Sequence, residues 1–593
     1  MLRTSLLLAS VLVAIAGNAY GGSYVQRDGT VVDPLLVTAA QGGGPHPYTG
    51  ALSPGVVSPG VDLTAAALPL ADLAAAALAS TDFTNANLSD ALLSGADLSS
   101  ALFVNAVLAG AEVDGADLTG ASLAGASAGS VDFTNADLTN ADLTGTNLTN
   151  AILVGTTLAG ADLTSAMLFG VTSSGLIGVP LALPGDFVLV NGHLVGPGAK
   201  LTGADLSGAS LAGIDLSSAT LTDANLSGAN LAGATLTSAI LAGADLIGAD
   251  LTGASLAGVS AASVNLTNAI LTSADLTGAN LSNGVLVDTT LTGADFTGAS
   301  LTGVKSSGLV GLPLALPTEF VLESGYLLGP GVQVAEANLA GASLAGLDLS
   351  NANLSDVVLD AADLTGANLA GAVLAGADLI GTDLTGASLV GVSAGSVNLT
   401  NAILTNVDLT GAILTNTILV GTTLTGADLT SAALFGVASS GLIGVPLALP
   451  GDFVLVNGHL VGPGARLTNA DLSGASLAGI DLSSATLTDA NLSGTNLTGA
   501  NLSGAVLPGA EVGGALFGGA NLSGVVGLGG TTGAAQYDGA TDFTGTGFDP
   551  VAAGWALLPP AAPVPLGGPF GALVLFLAGL GAAWRQLPGA TAR

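Results

Sequence analysis

The sequence lacks cysteine altogether and contains few basic, histidine or aromatic residues. Without cysteine, a disulfide framework and thiol chemistry are both excluded. Lysine and arginine total 7 against 42 aspartates and glutamates, which gives a formal net charge of −35 at pH 7. So few cations cannot neutralise a phosphate backbone, and direct nucleic-acid binding is therefore excluded. Aromatic residues make up 4% of the chain and glycine contributes 89 residues, a composition that suggests low complexity unless a regular pattern overrides it.

A regular pattern does dominate the chain. Between Leu201 and Leu301 an apolar residue, nearly always leucine, recurs at every fifth position in the unit Ala-(Asp/Asn/Ser)-Leu-(Thr/Ser/Ala)-Gly. On an α-helix a step of five residues rotates the side chain by about 140°, and on a straight strand an odd step reverses it. Every leucine can point inward only if the chain turns a corner in each unit. Four short sides then close a coil of about 20 residues, and coils stack at about 4.8 Å.

The other residues of the unit suit this geometry. Alanine two positions before each leucine also points inward, where a narrow bore leaves no room for a second large side chain. Glycine and the small polar residues tolerate corner conformations and bond to nearby backbone. The motif, as in Ala-Asp-Leu-Thr-Gly at 362–366, resembles the pentapeptide-repeat family. That resemblance implies an all-β fold, a right-handed quadrilateral β-helix.

Four arrays keep this register, with leucine positions from Leu63 to Leu168, Leu201 to Leu301, Val334 to Leu434 and Leu467 to Leu522. They comprise 22, 21, 21 and 12 pentapeptides, or about 19 coils and roughly 90 Å if all stack end to end. Whether they form one rod stays open at this stage. The predicted array boundaries are 61–170, 199–303, 332–436 and 465–524.

Three insertions separate the arrays, predicted at 171–198, 304–331 and 437–464. Each begins with the motif Ser173-Ser174-Gly175-Leu176 or its copy, and the copies lie 133 residues apart. The 33 residues from Leu168 to Leu201 are not a multiple of five, so each insertion is more than decayed repeats. Asn191-Gly192, between two apolar runs, predicts a β-hairpin with a type I′ turn. The near-identity of the first and third copies indicates internal duplication.

The two ends differ from the arrays. Residues 1–19 are predicted to be a secretory signal peptide, because an apolar run follows Arg3 and a small-x-small pattern ends at Ala19. The alternative is a short buried helix. Residues 20–60 are predicted to be a lead-in that caps the first array, and residues 525–558 a closing segment. Four aromatic residues are expected to cover the last coil, whose edge otherwise exposes unpaired strand groups: Tyr537, Phe543, Phe548 and Trp555.

The tail at 559–593 contains a proline-rich spacer and then an uncharged apolar stretch at 566–584. That stretch is long enough to span a membrane, and Arg585 after it favours a cytoplasmic C-terminus. With Val564-Pro565-Leu566 ahead of it, the tail resembles the PEP-CTERM-type sorting signals read by exosortases, although the match is partial. The resemblance implies that the segment is removed after sorting. An ordinary stop-transfer anchor is the alternative.

No catalytic, cofactor-binding or metal-ligating residue is predicted. One face of the second array reads Asp205, Asn225, Asp245 and Asn265, where alternating asparagines separate the carboxylates and support a hydrogen-bonded ladder. A Ca²⁺ cage requires several oxygens converging on one point, and the pattern supplies none. The interpretation is a solvated structural ladder, with weak cation binding as the alternative.

The histidines also favour structural roles. The chain has His46, His193 and His459, and the last two occupy matching hairpin positions where the middle copy carries Tyr326. A catalytic base or ligand is not replaced by tyrosine without loss. Serine and threonine are abundant, but no histidine partner belongs to the repeat, so nucleophilic catalysis is unsupported.

Two specialised functions fit the sequence poorly. Some pentapeptide-repeat proteins mimic DNA and inhibit topoisomerases, and the acidic charge fits such a mimic, but the signal peptide opposes it. Ice binding needs uniform threonine ladders, and neither outward face that was read is uniform. These faces are Ala212, Ala232, Thr252, Thr272 and Thr292, and Ser207, Ser227, Ile247, Thr267 and Val287.

The sequence therefore predicts an exported, non-enzymatic scaffold at the cell surface or in an extracellular matrix, without cofactor. The expected partners are a surface protein or polysaccharide, and the sorting machinery for the tail. The expected membrane contact is the single segment 566–584, unless it is cleaved. A binding module whose hairpin junctions hold a carbohydrate or protein is the alternative from another class.

Overall fold

The computed structural model describes residues 23–26, 29–32, 36–37, 51–52 and 60–559. The chain divides into two compact units. Unit 1 comprises Met1–Asn398 and Ile403–Ala412, and unit 2 comprises Leu399–Ala402 and Ile413–Arg593. The predicted signal peptide and the apolar stretch at 566–584 lie outside the described residues. Within the described part, no helix is long and apolar enough to cross a membrane.

Each pentapeptide forms one side of a coil. The residue before the leucine makes a parallel bridge to the residue twenty positions on, as Asp205 does with Asn225. The N–H of the leucine donates to the backbone carbonyl of that bridged residue in the next coil, with 2.7 Å between the Leu206 nitrogen and the Asn225 oxygen. The residue two positions after the leucine takes a left-handed conformation, with φ of 65° at Gly203, where glycine has no steric cost. The fold is the predicted right-handed quadrilateral β-helix.

The bore is filled by leucine and alanine from every side, and leucines such as Leu206 and Leu226 are fully buried. Some alanine positions carry threonine, whose hydroxyl needs a partner inside the apolar bore. Thr146 donates to the carbonyl of Leu123 and Thr156 to that of Phe133, each over 2.8 Å. The narrow core thus accepts a threonine because a backbone carbonyl of the preceding coil lies within reach.

In unit 1 the first coil is covered by preceding chain. The strand Leu36–Val37 pairs antiparallel with the strand Ala66–Ala67, and Gln26 bridges Ala71. This pairing satisfies part of the edge that an uncovered first coil would expose. The strands are β1 Ser23–Val25, β2 Val31–Val32, β3 Leu36–Val37, β4 Ala51–Leu52 and β5 Ala66–Ala67.

Two longer insertions interrupt the ladder of unit 1, and each contains an antiparallel hairpin. At the first, the array strand β6 Ile152–Val154 is followed by β7 Thr172–Ser174, β8 Val188–Val190 and β9 His193–Val195 of the insertion. At the second, the array strand β10 Val285–Val287 is followed by β11 Lys305–Ser307, β12 Val321–Glu323 and β13 Tyr326–Leu328 of the insertion. In both, the first two strands pair in parallel and the last two form the hairpin.

Unit 2 contains the third insertion, the last array and the closing segment. Its strands are β14 Ile418–Val420, β15 Ala438–Ser440, β16 Val454–Val456, β17 His459–Val461, β18 Gln536–Tyr537 and β19 Ala556–Leu557, with a 3-10 helix at Leu528–Gly530. Strands β16 and β17 form the third hairpin. The predicted β-hairpin insertions between arrays are therefore present.

The closing segment places an aromatic cluster on the last coil. Trp555 stacks on Phe517 with 5.0 Å between ring centroids, and Phe548 meets Trp555 at the same separation. Phe543 contacts Tyr537, Phe548 and Trp555. The four aromatic residues expected to cover the last coil thus come together, and Phe517 of the array adds a fifth ring.

Candidate interaction site at the array junctions

Each junction is one coil that is longer than the others. Thr172 bridges Lys200, twenty-eight positions ahead rather than twenty, so the coil between them holds eight extra residues. The bore position at which a leucine is expected holds Ser173, which is almost fully buried. Its hydroxyl accepts a hydrogen bond from the Leu194 N–H over 2.8 Å. This serine joins the hairpin to the coil beneath it.

The hairpin turn has the geometry that the Asn-Gly pair predicts. Asn191 and Gly192 have φ values of 46° and 76°, and positive φ at both positions is the mark of a type I′ turn. The Asn191 amide donates to the Asp205 carbonyl over 3.1 Å, and the Leu176 N–H donates to the Gly192 carbonyl. The turn is thereby bonded to the coil before it and to the coil after it.

The β-ladder passes through the junction on one face. There the Lys200 N–H donates to the Val171 carbonyl over 2.8 Å. Among the described residues, no bridge joins Ile177 to Asp205 or Ala182 to Ser210, although each has a bridge to its other neighbouring coil. The stacked coils are therefore not paired on those two faces.

An apolar strip lies on the outside of this interruption. Ile177, Val179 and Leu181 have exposed fractions of 58%, 77% and 74%, whereas leucines of the repeat are buried. Backbone bonds hold the segment to the coil beneath, as Leu181 N–H donates to the Ala161 carbonyl. The side chains thus point to solvent from an ordered backbone. The equivalent strips are Val310, Leu312 and Leu314 at the second junction and Ile443, Val445 and Leu447 at the third, with similar exposure.

One exposed cation accompanies each strip. Within residues 60–559 the only basic residues are Lys200, Lys305 and Arg466. Each belongs to the bridged pair that carries the ladder through its junction: Lys200 pairs with Thr172, Lys305 with Gln333 and Arg466 with Ala438. Lys200 and Arg466 are the later residue of their bridged pair and Lys305 is the earlier one, so each junction has one cation in its bridged pair.

The two hairpin histidines contact the backbone of the coil beneath. His193 Nδ1 lies 2.7 Å from the Ser173 carbonyl, and His459 repeats this contact with Ser439. Both rings are half-buried beside the hairpin. His46 lies outside the described residues. In the described part of the chain, no group of three or more histidines, aspartates or glutamates is placed to hold a metal.

The acidic columns form as the spacing predicts. Asp205, Asn225, Asp245 and Asn265 are bridged in succession, and the Asn225 amide donates to the Asp205 carboxylate. In the first array, however, carboxylates stack without an intervening asparagine, as in the column Asp97, Asp117 and Asp137. The alternation read from the second array is therefore not general.

Most carboxylates are bonded within their own corner. Asp162 Oδ1 accepts both the N–H and the hydroxyl of Thr164, over 2.9 and 2.6 Å, and these bonds lower the pKa of Asp162. Asp378 differs, because burial and the neighbouring Asp360 raise its pKa. The Asp-Leu-Thr and Asn-Leu-Ser triplets are thus local turn motifs, in which the first side chain accepts a hydrogen bond from the backbone N–H of the third residue.

The apolar strip is not among the features predicted from the sequence. Its signal was the alternation of apolar residues at 177, 179 and 181, repeated 133 and 266 residues later. Leu176 stands where the repeat places its alanine, and Gly178 stands where the repeat places its leucine. Leu176 fills the bore here in place of the usual leucine. Unless this exchange of a large and a small residue is recognised, the five-residue period does not show which side chains of the segment face solvent.

Comparison with known proteins identifies the repeat. The family model for pentapeptide repeats matches residues 60–170, 199–305, 333–393, 395–432 and 465–524, which together make up well over half of the chain. A search of curated proteins found no match.

Several solved structures are similar. HetL of Nostoc sp. strain PCC 7120, described as involved in heterocyst differentiation regulation, is 27% identical over 43% of this chain and 87% of its own, with a TM-score of 0.13. A pentapeptide repeat protein of the Arabidopsis thaliana thylakoid lumen is 33% identical over 17% of this chain and 68% of its own, with a TM-score of 0.11. QnrB1, a plasmid-mediated fluoroquinolone resistance protein, is 16% identical over 37% of this chain and 93% of its own, with a TM-score of 0.19. At these TM-scores the likeness carries no argument about function.

Proposed function

Because this chain belongs to the pentapeptide-repeat family, we propose that it is a non-enzymatic scaffold, exported to the cell surface or the extracellular matrix. The observation that carries the proposal is the use of side chains in the arrays. Leucine and alanine fill the bore, and outward aspartates, asparagines, serines and threonines bond to their own corners. Such a surface presents a stiff, regular support on which the junctions stand out.

The two ends of the chain support the location. Residues 1–19 have the features of a secretory signal peptide, and residues 566–584 those of a membrane-spanning or sorting segment. We propose that the tail is read by sorting machinery or holds the protein in the membrane. The scaffold then meets a protein or polysaccharide outside the cell.

The test follows both ends of the chain. One tag is inserted in the exposed loop at Gly547 and a second is placed after Arg593, and cells and medium are fractionated. Mass spectrometry then determines the mature termini. The proposal expects a product that begins near Tyr20 and occurs at the surface or in the medium, with or without the second tag. Full-length protein in the cytoplasm, signal peptide included, would overturn the export proposal and revive the topoisomerase-mimic alternative.

A second candidate function is specific binding at the junctions. The observation that favours it is the solvent-facing apolar strip beside each hairpin, such as Ile177, Val179 and Leu181. Deletion of one hairpin separates the two functions, because a spacer loses little whereas a binding module loses affinity for its ligand. The matched control is a deletion of four pentapeptides, one full coil, from the middle of an array.

A further inference from the structure

We propose that the apolar strips at the junctions are self-association surfaces, where copies of this chain bind one another strip to strip and build a branched assembly. The inference rests on the proposed scaffold function and names its partner as a second copy of the same chain. Each strip consists of three residues, defined above as 177, 179 and 181 with their equivalents at the second and third junctions.

The fold does not explain why the strips are apolar. Their side chains have exposed fractions between 57% and 78%, so they contribute little to the bore. The middle copy has diverged elsewhere, with Tyr326 replacing histidine and Glu323 replacing valine in the hairpin. Its strip has also changed, from Ile177 to Val310 and from Val179 to Leu312, yet every position has stayed apolar. Exposed apolar groups that repeat in this way are typical of a contact surface.

Charge selects a second copy as the occupant. Two chains of net charge −35 repel each other wherever acidic columns face each other, as the column of Asp97, Asp117 and Asp137 would. The junctions are the places in residues 60–559 where a cation and an apolar strip occur together. Contact there sets the cation of one copy near Asp205 at the first junction and Asp471 at the third, whereas the second junction has Asn338 at this position and its nearest acidic residue in the array is Glu336. Opposite charges at the rim of an apolar contact favour this orientation over wrong ones.

The register predicts a branched assembly. In unit 1 the face that carries the ladder through the first junction runs from Lys200 to Ser300. At the second junction the corresponding face contains Lys305, which pairs with Val285 and Gln333 and lies one side further round the coil. The array between them has 21 pentapeptides, one more than five four-sided coils. Consecutive strips of unit 1 therefore face different sides, and one partner lying alongside cannot cover both.

The first experiment compares two triple variants of the full chain with the wild type by sedimentation velocity over a range of concentrations. The strip variant carries Val179→Ser, Leu312→Ser and Val445→Ser. The matched control carries Ile240→Ser, Ile270→Ser and Ile413→Ser, which are exposed isoleucines on array faces. Both keep the tail, so association through the tail would leave them alike. Circular dichroism checks that both fold.

We expect the wild type and the control to associate, and the strip variant to need at least about tenfold higher concentration for the same average mass. Higher salt should strengthen wild-type association, because it screens the repulsion between acidic columns while leaving the apolar contact. A wild type that stays at 56.3 kDa at every concentration overturns the inference, as does a strip variant that associates like the control. Association that needs an added polysaccharide or another protein also overturns it.

The second experiment uses the absence of cysteine to map the contact. Val179→Cys is treated with a short bismaleimide, which links two thiols only where strips meet, and Ile240→Cys is the control. Because each chain of this variant carries one thiol, its linked product should stop at the dimer. A triple variant with Val179→Cys, Leu312→Cys and Val445→Cys, in which every strip carries a thiol, should form larger linked species. Equal cross-linking of the two single-cysteine variants overturns the inference.

The outcomes separate this inference from the scaffold proposal. Export and surface location are measured on the tagged chain, and they do not depend on self-association. A monomeric wild type found at the cell surface removes the self-association inference and leaves the scaffold proposal standing. An assembling chain that remains in the cytoplasm does the reverse.

Discussion

At the scale of single residues, the repeat is held by side chains that bond to their own corner. Where an aspartate or asparagine precedes the leucine, its side chain commonly accepts the N–H of the second residue after it, as Asp137 does from Thr139 over 2.9 Å. The threonine hydroxyl often donates to the same oxygen, over 2.5 Å in this example. This arrangement explains why the motif prefers aspartate or asparagine at one position and serine or threonine two positions on. The preference could be predicted from the sequence, because turn chemistry is local.

The first prediction concerns Asp378, one oxygen of which is buried without a hydrogen-bond partner. Burial and the nearby Asp360 raise the pKa of this carboxyl. A raised folded-state pKa means that its contribution to stability is present below the unfolded value of 3.8 and is lost as pH rises through the folded value. Bonds from Asn398 and Ile380 act in the opposite direction but do not outweigh these two causes. Asp378→Asn should therefore stabilise the protein at pH 7, measured by urea denaturation.

The control is Asp363→Asn, where bonds from the backbone N–H and the side chain of Thr365 lower the carboxyl pKa. This substitution should give no gain at pH 7. Equal effects of the two substitutions would show that a general decrease in negative charge, and not the environment of Asp378, explains the result.

The second prediction concerns acid. The two bonds from Thr164 lower the pKa of Asp162, so their stabilising contribution is present above the unfolded value of 3.8 and is lost as pH falls through the lower folded value. Thr164→Val removes the hydroxyl bond. The difference in unfolding free energy between wild type and variant should be larger at pH 7 than at pH 2.5, measured by denaturant titration.

The wild type and Thr164→Val have the same net charge. The general effect of protonation on charge repulsion within the chain therefore cancels when the two are compared. Thr172→Val is a useful reference, because no aspartate lies two positions before it. If the Thr164→Val difference stays constant across this pH range, the carboxylate bond does not carry the effect.

At the scale of elements, the junction is where prediction from sequence reached its limit. The Asn-Gly turn was predictable because two positive φ values in succession require such residues. The bore serine was not, since Ser173 occupies a leucine position and gains its role only from Leu194, which reaches it across the junction. The direction of the strip was equally hidden, because Leu176 and Gly178 exchange the usual sizes of the repeat. Non-local contacts decide both features.

The third prediction tests the bore serine. Ser173→Ala removes the acceptor of the Leu194 N–H and leaves that donor unbonded in a buried position, which should cost about 1–3 kcal/mol. The matched control is Ser174→Ala, a partly exposed neighbour in the same strand. Thermal unfolding and hydrogen exchange at Leu194 measure the two effects. Equal protection of Leu194 in both variants would contradict the assigned role.

The fourth prediction concerns the closing segment of unit 2. Trp555 is buried and stacks on Phe517 over the last coil. Trp555→Ala should destabilise this end by about 3 kcal/mol, the usual cost of removing a large buried ring. Hydrogen exchange should rise in the final coils, near Leu522, and remain unchanged in unit 1. Trp555→Phe should recover most of the protection, and uniform loss throughout the chain would contradict a local capping role.

At the scale of the whole molecule, the fold was readable because a solenoid repeats one local solution. The five-residue period required corners, and the corners required a closed coil, so array number and register followed without any long-range information. The charge was also readable, since the arrays are acidic and within residues 60–559 the junctions hold the basic residues. What could not be read was how a junction joins two coils, because eight extra residues permit many paths.

The second array has 21 pentapeptides, one more than five complete coils, and an array of this kind can change its length in evolution one pentapeptide at a time. Slippage during DNA replication adds or removes whole repeats most easily, and every gained or lost pentapeptide turns the next junction by one side of the coil. The contacts inside the bore stay the same in kind, because every side contributes a leucine and an alanine to it. The direction of a docking strip can therefore be altered in fifteen-nucleotide steps without a new fold and without an intermediate that fails to fold.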